Sequence, residues 1–171
     1  MALFSSTTLD SLDDLLVEQI QDLYDAEKRL TKALPEMSDA AENLELKNAF
    51  QSHLRETEGQ VKRLETVFQI LGKNPHAKTC EAMKGLVKEG NEVMNMDAPS
   101  EVKDAALIAA AQRVEHYEMA GYGTARTFAS RLGYLEAARI LQETLDEEGE
   151  ADKKLTHIAE QTINRQAAAT A

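Results

Sequence analysis

Cysteine and tryptophan are almost absent from this chain of 171 residues. Cys80 is the one cysteine, so no intramolecular disulfide can form, and there is no tryptophan. The stretch from Met1 to Leu12 has neither the basic segment nor the apolar segment of a secretory signal. We therefore expect a protein of the reducing cytoplasm.

Positive charge and long hydrophobic runs are also scarce. The chain has 19 lysines and arginines against 30 aspartates and glutamates, which gives a net charge of −11. This excess of acid disfavours nucleic acids and anionic membranes as partners and favours metal cations. The longest apolar runs, such as Ala105 to Ala111, are much shorter than the roughly 20 residues that span a bilayer. We therefore expect no nucleic-acid partner and no membrane partner.

The sequence predicts an all-α fold. Only three prolines and eight glycines interrupt it, and alternating β-branched stretches are almost missing. Apolar residues recur every three or four positions along four long segments, as they do on one face of a helix. The predicted helices are about Leu9–Met37, Leu44–Leu71, Ser100–Arg131 and Tyr134–Ile163. The predicted boundary residues are Asp10 or Ser11 as the first N-cap, Pro35 as a kink or end, Ser100 as the third N-cap, and Gly72 and Gly133 as stops.

One long connection, between the second and third helices, predicts how the helices are ordered. A shorter helix between Thr79 and Met96 lies in this crossover, and four long helices joined in this way form an up-down-down-up bundle. We predict a ferritin-like four-helix bundle with this short additional helix. It should be a single domain over residues 1–171, with a core from about 9 to 163 and frayed termini that include Gln166–Ala171.

Each long helix has polar residues where its pattern requires an apolar one. Carboxylates that are buried together cannot neutralise one another, whereas bound metal ions would neutralise them. Helical bundles hold two divalent ions with carboxylates and imidazoles from facing helices. We therefore predict a site for two divalent metal ions, iron or manganese. The first-choice ligands are Glu27, Glu56, Glu115 and Glu148, and the candidates for the remaining positions are His53, His116, Glu118 and Asp152.

The ligand pattern departs from the usual dinuclear one, in which two helices carry Glu-x-x-His. Here Glu56 is followed three residues later by Gly59, and Glu148 by Ala151. His53 precedes Glu56 in the reverse order. The pattern thus indicates a metal site more directly than it indicates the individual ligands.

Each candidate ligand also has a purely structural interpretation. Glu27 can reach solvent at the edge of the apolar stripe, and His53 can be a hydrogen-bonded core histidine. Glu118 and Glu147 can lie on a solvated helix face. His116 can hold a carboxylate in place without binding metal.

Five segments, in the same order along the chain, carry a resemblance to a known family. They are LYDAEKRL at 23–30, HLRETEGQ at 53–60, KTCEAM at 78–83, VEHYE at 114–118 and ETLDEE at 143–148. Through them the chain resembles the bacterial YciE/YciF family of ferritin-like stress proteins over about Leu9 to Ala159. The resemblance implies a ferritin-like bundle, a dinuclear site and a link to stress responses, but it implies no particular reaction.

Three functions are compatible with these observations. In the first, two redox metals act on O2 or peroxide, as in an oxidase or a peroxidase. In the second, the chain is a non-catalytic stress or interaction module whose polar layers determine helix register. The third is an iron-storage cage of the mini-ferritin kind. We expect a homodimer, because Leu107, Ala111, Val114 and Phe128 form an apolar flank suited to a symmetric partner.

Overall fold

A computed structural model describes residues 9–170. Met1–Thr8, most of the segment on which the expected localisation rests, and Ala171 lie outside the described residues. The helices are α1 Leu12–Ala40, α2 Leu44–Ile70, α3 Glu81–Met94, α4 Ser100–Arg131, α5 Leu135–Ile158 and the short α6 Asn164–Ala168. Within this range, no helix is both long enough and apolar enough to cross a membrane.

Contacts between the ends of α1 and α4 establish the direction of the helices. Tyr134, after the end of α4, donates a hydrogen bond of 2.9 Å to Asp13 at the start of α1. Near the start of α4, Asp104 accepts the backbone N–H groups of Glu42 and Asn43, which follow α1, at 3.0 and 2.7 Å. Helix α4 is therefore antiparallel to α1, and the predicted up-down-down-up order of a ferritin-like bundle is confirmed.

The core consists of two apolar clusters at opposite ends of the bundle. Each cluster takes side chains from all four long helices. Burying one large apolar side chain stabilises the folded state by roughly 1.5–3 kcal/mol. The first cluster includes Leu30, Phe50, Leu107 and Leu155. The second includes Ile20, Leu64, Tyr122 and Leu141. The two clusters hold the helices together on either side of a polar middle layer.

Helix α3 is attached to α1 and α4 through its N-cap, Cys80. The backbone N–H of Cys80 donates to Asp25 of α1 at 2.8 Å, and its Sγ lies 3.0 Å from the hydroxyl of Tyr117 in α4. The same sulfur accepts the N–H of Met83 at 3.3 Å. Burial raises the pKa of the Cys80 thiol, which favours its protonated form. Cys80 is thus a buried residue that positions a helix.

The apolar flank of the expected homodimer is covered within the chain itself. Leu107, Ala111 and Val114 are buried. They belong to the same cluster as Met83 of α3, because the crossover helix packs over this side of α1 and α4. The prediction of an apolar flank for a partner is wrong for these three residues, and Phe128, the fourth, is half-buried against the second cluster. The dimer itself stays a prediction.

Most predicted helix ends are confirmed. Ser11 is the N-cap of α1, and its Oγ accepts the N–H of Asp14 at 3.1 Å. Gly72 and Gly133 follow α2 and α4 with φ values of 66° and 86°, a left-handed conformation that favours glycine at the end of a helix.

Three boundary predictions need correction. Helix α1 continues through Pro35 to Ala40, because the loss of one N–H donor is outweighed where the flanking apolar side chains are buried. Ser100 is the first residue of α4 and not its cap; the cap position is Pro99, which has no side-chain hydrogen bond. The last long helix passes through a π-helical turn, Ala159–Ile163, into α6, so the chain is still helical at residues 166–168.

Two glycine substitutions test how far local backbone preference contributes to this fold. Gly59→Ala adds a methyl group that meets no side chain or other helix within 4 Å, so it should stabilise α2 by about 1 kcal/mol. Gly72→Ala should destabilise the protein by roughly 1 kcal/mol, because it forces alanine into the left-handed region. Urea unfolding of both variants measures the difference. A loss of stability in Gly59→Ala would contradict the expected open space at this position.

Candidate metal site

A layer of four glutamates and one histidine separates the two apolar clusters. All five side chains are buried, and each comes from the middle of a long helix. They are Glu27 of α1, His53 of α2, Glu115 and Glu118 of α4, and Glu148 of α5. Residues one turn apart, as Glu115 and Glu118 are, share a helix face. The structure therefore brings five of the eight predicted ligands together in one layer.

The donor atoms in this layer are close enough to surround metal ions. His53, Glu115, Glu118 and Glu148 each offer one atom, and these atoms lie within 4.8 Å of one another. The Nε2 atom of His53 is 3.4 Å from Oε2 of Glu115 and 3.5 Å from Oε2 of Glu148. Donor atoms on opposite sides of one metal ion are roughly 4 Å apart, because each bond is about 2 Å long.

The hydrogen-bonding capacity of the layer is largely unused. Among residues 9–170, eight buried side-chain oxygen or nitrogen atoms have no hydrogen-bond partner, and seven of them belong to the five residues of this layer. Both oxygens of Glu118 and both of Glu148 are included. A buried polar atom without a partner costs about 1–3 kcal/mol, and more if it is charged. A divalent cation would supply the missing partners, so these residues fit a metal.

Burial also changes the protonation of the layer. It raises the pKa of Glu115 to about 8, and the charge of Glu27 adds to the increase. Burial raises the pKa values of Glu27, Glu118 and Glu148 well above the ordinary value, and the charges of neighbouring glutamates contribute in each case. Without a cation, the layer holds protons that exposed glutamates would release at neutral pH.

Glu56 differs from the buried glutamates because it contacts His53 from the solvent side. Its Oε2 is 3.2 Å from Nδ1 of His53, and its side chain is 43% exposed. This hydrogen bond lowers the pKa of Glu56. Burial alone would lower the pKa of His53, but the bond to Glu56 and the charge of Glu148 raise it. With Nδ1 held in this way, Nε2 faces the layer, as in many metal-binding histidines.

Tyr122 binds Glu27 from the second apolar cluster. Its hydroxyl donates to Oε1 of Glu27, while Oε2 of the same carboxylate has no partner. The neighbouring Gly121 lies where α4 approaches α1, since a Cβ atom there would be 2.8 Å from Cδ2 of Leu23. Tyr122 therefore holds one oxygen of the Glu27 carboxylate and leaves the other without a partner.

Arg63 is an important residue that the sequence analysis missed. Its guanidinium donates two hydrogen bonds of 2.6 Å to the carboxylate of Glu147, which also accepts one of 3.1 Å from Gln60. These bonds satisfy the carboxylate of Glu147, whereas the carboxylate of the neighbouring Glu148 has no hydrogen-bond partner. The sequence signal for Arg63 was its position one helical turn after Gln60, a polar residue in the apolar pattern of α2.

Two predicted ligands, His116 and Asp152, lie outside the converging donor atoms. The side chain of His116 is 67% exposed, and its Nε2 is 3.3 Å from Oδ1 of Asp152. Asp152 also accepts a hydrogen bond of 2.9 Å from Gln112. Glu115 and Glu118 face inward, so the intervening His116 faces outward. The two residues pair with each other at the surface of the bundle.

Comparison with known proteins identifies the family. Residues 11–168 match the family model described as a domain of unknown function, DUF892. The chain belongs to the DUF892 family. The resemblance to the YciE/YciF family is confirmed by similarity to YciF in both sequence and structure.

Two relatives share both sequence and fold with this DUF892 chain. It is 45% identical to the protein YciF of Escherichia coli (strain K12) over 160 residues, which cover 93% of this chain and 96% of YciF. The crystal structure of the E. coli stress protein YciF covers 91% of this chain and 99% of its own, with a TM-score of 0.88. The structure of YcfI from Rhodopseudomonas palustris is 43% identical, with a TM-score of 0.86 and coverage of 90% and 98%.

A more distant structure is similar to this DUF892 chain in fold only. It is a protein of Xanthomonas campestris pv. campestris that is 23% identical, with a TM-score of 0.70. The match covers 94% of this chain and 99% of that protein.

The raised pKa values predict how the stability of the metal-free protein depends on pH. The folded state holds protons that the unfolded chain releases, so the associated stability is fully present below the unfolded pKa of about 4.3. This contribution to stability is lost as the pH rises through the pKa of the folded state, which is about 8 for Glu115. Urea unfolding with chelator should therefore give a free energy of unfolding that falls between about pH 5 and pH 8.

Glu118→Gln tests whether the buried carboxylates cause this pH dependence. It removes a carboxylate whose two oxygens have no partner, so it should raise stability at about pH 8 and reduce the pH dependence. Glu58→Gln, at an exposed position of α2, is the matched control and should behave like the parent protein. Equal pH dependence in the Glu118→Gln variant and the parent would contradict this account.

Proposed function

We propose that this chain is a dinuclear metal-carboxylate protein of the bacterial stress response, which holds two iron or manganese ions and acts on O2 or peroxide. The observation that carries the proposal is the set of seven unpartnered atoms in the buried layer. The relative YciF is itself called a stress protein, which supports the link to stress.

Glu27, His53, Glu115, Glu118 and Glu148 are the proposed ligands. Four carboxylates and one imidazole, from all four long helices, would offer enough donor atoms to hold two divalent ions. Glu56 keeps Nε2 of His53 directed at the layer, and Tyr122 holds one oxygen of Glu27 so that the other is free. When bound, a redox-active metal pair supplies electrons to O2 or peroxide.

The partners in this proposal are divalent metal ions and O2 or peroxide. A cytoplasmic homodimer completes it, with neither nucleic acid nor a membrane as a partner. The net charge of −11 supports the cationic partner.

Metal analysis tests the ligands. Protein purified without chelator should contain two metal ions per chain, and Glu118→Ala combined with Glu148→Ala should contain none while keeping its helical circular dichroism. Adding Fe(II) or Mn(II) to the metal-free parent should increase the free energy of unfolding by about 2.7 kcal/mol at a hundredfold excess over the dissociation constant. His116→Ala is the control, because its side chain lies outside the layer, and it should keep both ions. Full metal content in the double variant would refute these ligands.

Reaction and assembly are tested on the metal-loaded protein. Addition of O2 or peroxide to the Fe(II)-loaded protein should change its absorbance with a stoichiometric amount of oxidant, and native mass should correspond to two chains. A closed shell of many chains that takes up a large excess of iron would favour the storage function. Metal-free protein with full stability would favour a structural module whose polar layer determines helix register.

A further inference from the structure

A cleft between α2 and α5 leads from the surface to the metal-site residues. Its volume is about 270 Å³. Asp146, Glu150 and Lys154 line it and are exposed, whereas His53 and Glu115, which also line it, are buried. The cleft is therefore open to solvent at one end and reaches the buried layer at the other.

The sides of the cleft are apolar. They are formed by Phe50 and Leu155, which are large, and by Ala49 and Ala151, which leave the space between the helices open. Aliphatic and aromatic walls offer no hydrogen bonds to water or to a bare ion, but they favour contact with an alkyl or aryl group. The cleft volume of about 270 Å³ lies at the lower end of small-molecule sites, which usually start at roughly 300 Å³. The cleft therefore suits only a small organic molecule.

The inner end of the cleft is polar and incompletely bonded. Nε2 of His53 and Oε2 of Glu115 are buried and have no hydrogen-bond partner. A ligand that fits this cleft therefore needs one polar end directed inward, with the rest of the molecule apolar.

Charge at the outer end limits the ligand further. Glu56, Asp146, Glu147 and Glu150 line the cleft, against one lysine, Lys154. Arg63 neutralises Glu147, but the remaining acids still exceed the single lysine. A carboxylate or phosphate ligand would be repelled here, whereas an uncharged molecule would not be.

We infer that the cleft binds small uncharged organic hydroperoxides, with the alkyl or aryl group between Phe50 and Leu155 and the O–O group at the inner end of the cleft, next to the proposed metal site. This inference rests on the proposed function and names its substrate class. The O–O bond of the hydroperoxide breaks, two protons are taken up, and an alcohol and water form. The two electrons would come from two divalent metal ions held by the five proposed ligands, and these ions would become trivalent.

The binding test needs no metal. Cumyl alcohol, the product of cumene hydroperoxide and unreactive itself, should bind the metal-free protein in ligand-observed NMR. Benzoate, an aromatic anion of similar size, should not bind. Ala151→Leu fills the cleft and should weaken cumyl alcohol binding by about tenfold or more. Ala109→Leu, at an exposed position of α4, is the matched control and should bind like the parent.

Single-turnover kinetics provide the second measurement. With Fe(II)-loaded protein, the ratio of the second-order rate constant for metal oxidation by cumene hydroperoxide to that by hydrogen peroxide should fall in Ala151→Leu and stay constant in Ala109→Leu. If Ala151→Leu does not fold, Ser52→Leu, another substitution in the cleft lining, takes its place. Parent protein that holds two metals but does not bind cumyl alcohol, or binds benzoate equally well, would overturn this inference. Parent protein without metal would overturn the proposed function instead.

Discussion

Burial of several carboxylates in one layer is the constraint on which the rest of this structure depends. Glu27, Glu115, Glu118 and Glu148 lie among apolar side chains, and burial raises the pKa of each. Such a layer opposes folding unless protons or cations neutralise it. The apolar clusters on either side compensate, because each joins all four long helices and keeps the layer closed. The bundle thus keeps an unfavourable arrangement in place, which is typical of a binding site.

The surrounding contacts divide the acidic residues into two groups. Glu147 and Glu148 are neighbours in the sequence, yet Arg63 satisfies the first, whereas neither oxygen of the second has a hydrogen-bond partner. Glu56 is likewise bonded to His53, while Glu118 has two free oxygens. Acids with protein partners stabilise the fold and orient other side chains. Acids without partners are those for which a metal ion is the remaining partner.

The position of the site between α2 and α5 connects its chemistry to its access. The apolar cleft reaches the layer beside His53 and Glu115, so the same helices that hold the donor atoms also shape the route to them. Apolar packing at both ends of the bundle holds the helices together, so residues beside the site can be small. Ala49 and Ala151 are two such residues, and they keep the cleft open.

The helices, their order and the polar middle layer could all be predicted from the sequence alone. These depend on local periodicity and on residues such as Gly72 and Gly133, whose effects act within a few positions. Which polar residues contact one another depended on the packing of the helices. It turned Glu118 inward and His116 outward, paired Glu147 with Arg63, and covered Val114 with α3. These outcomes depend on the rotation of each helix about its axis and on distances between helices, which packing sets and sequence spacing does not reveal.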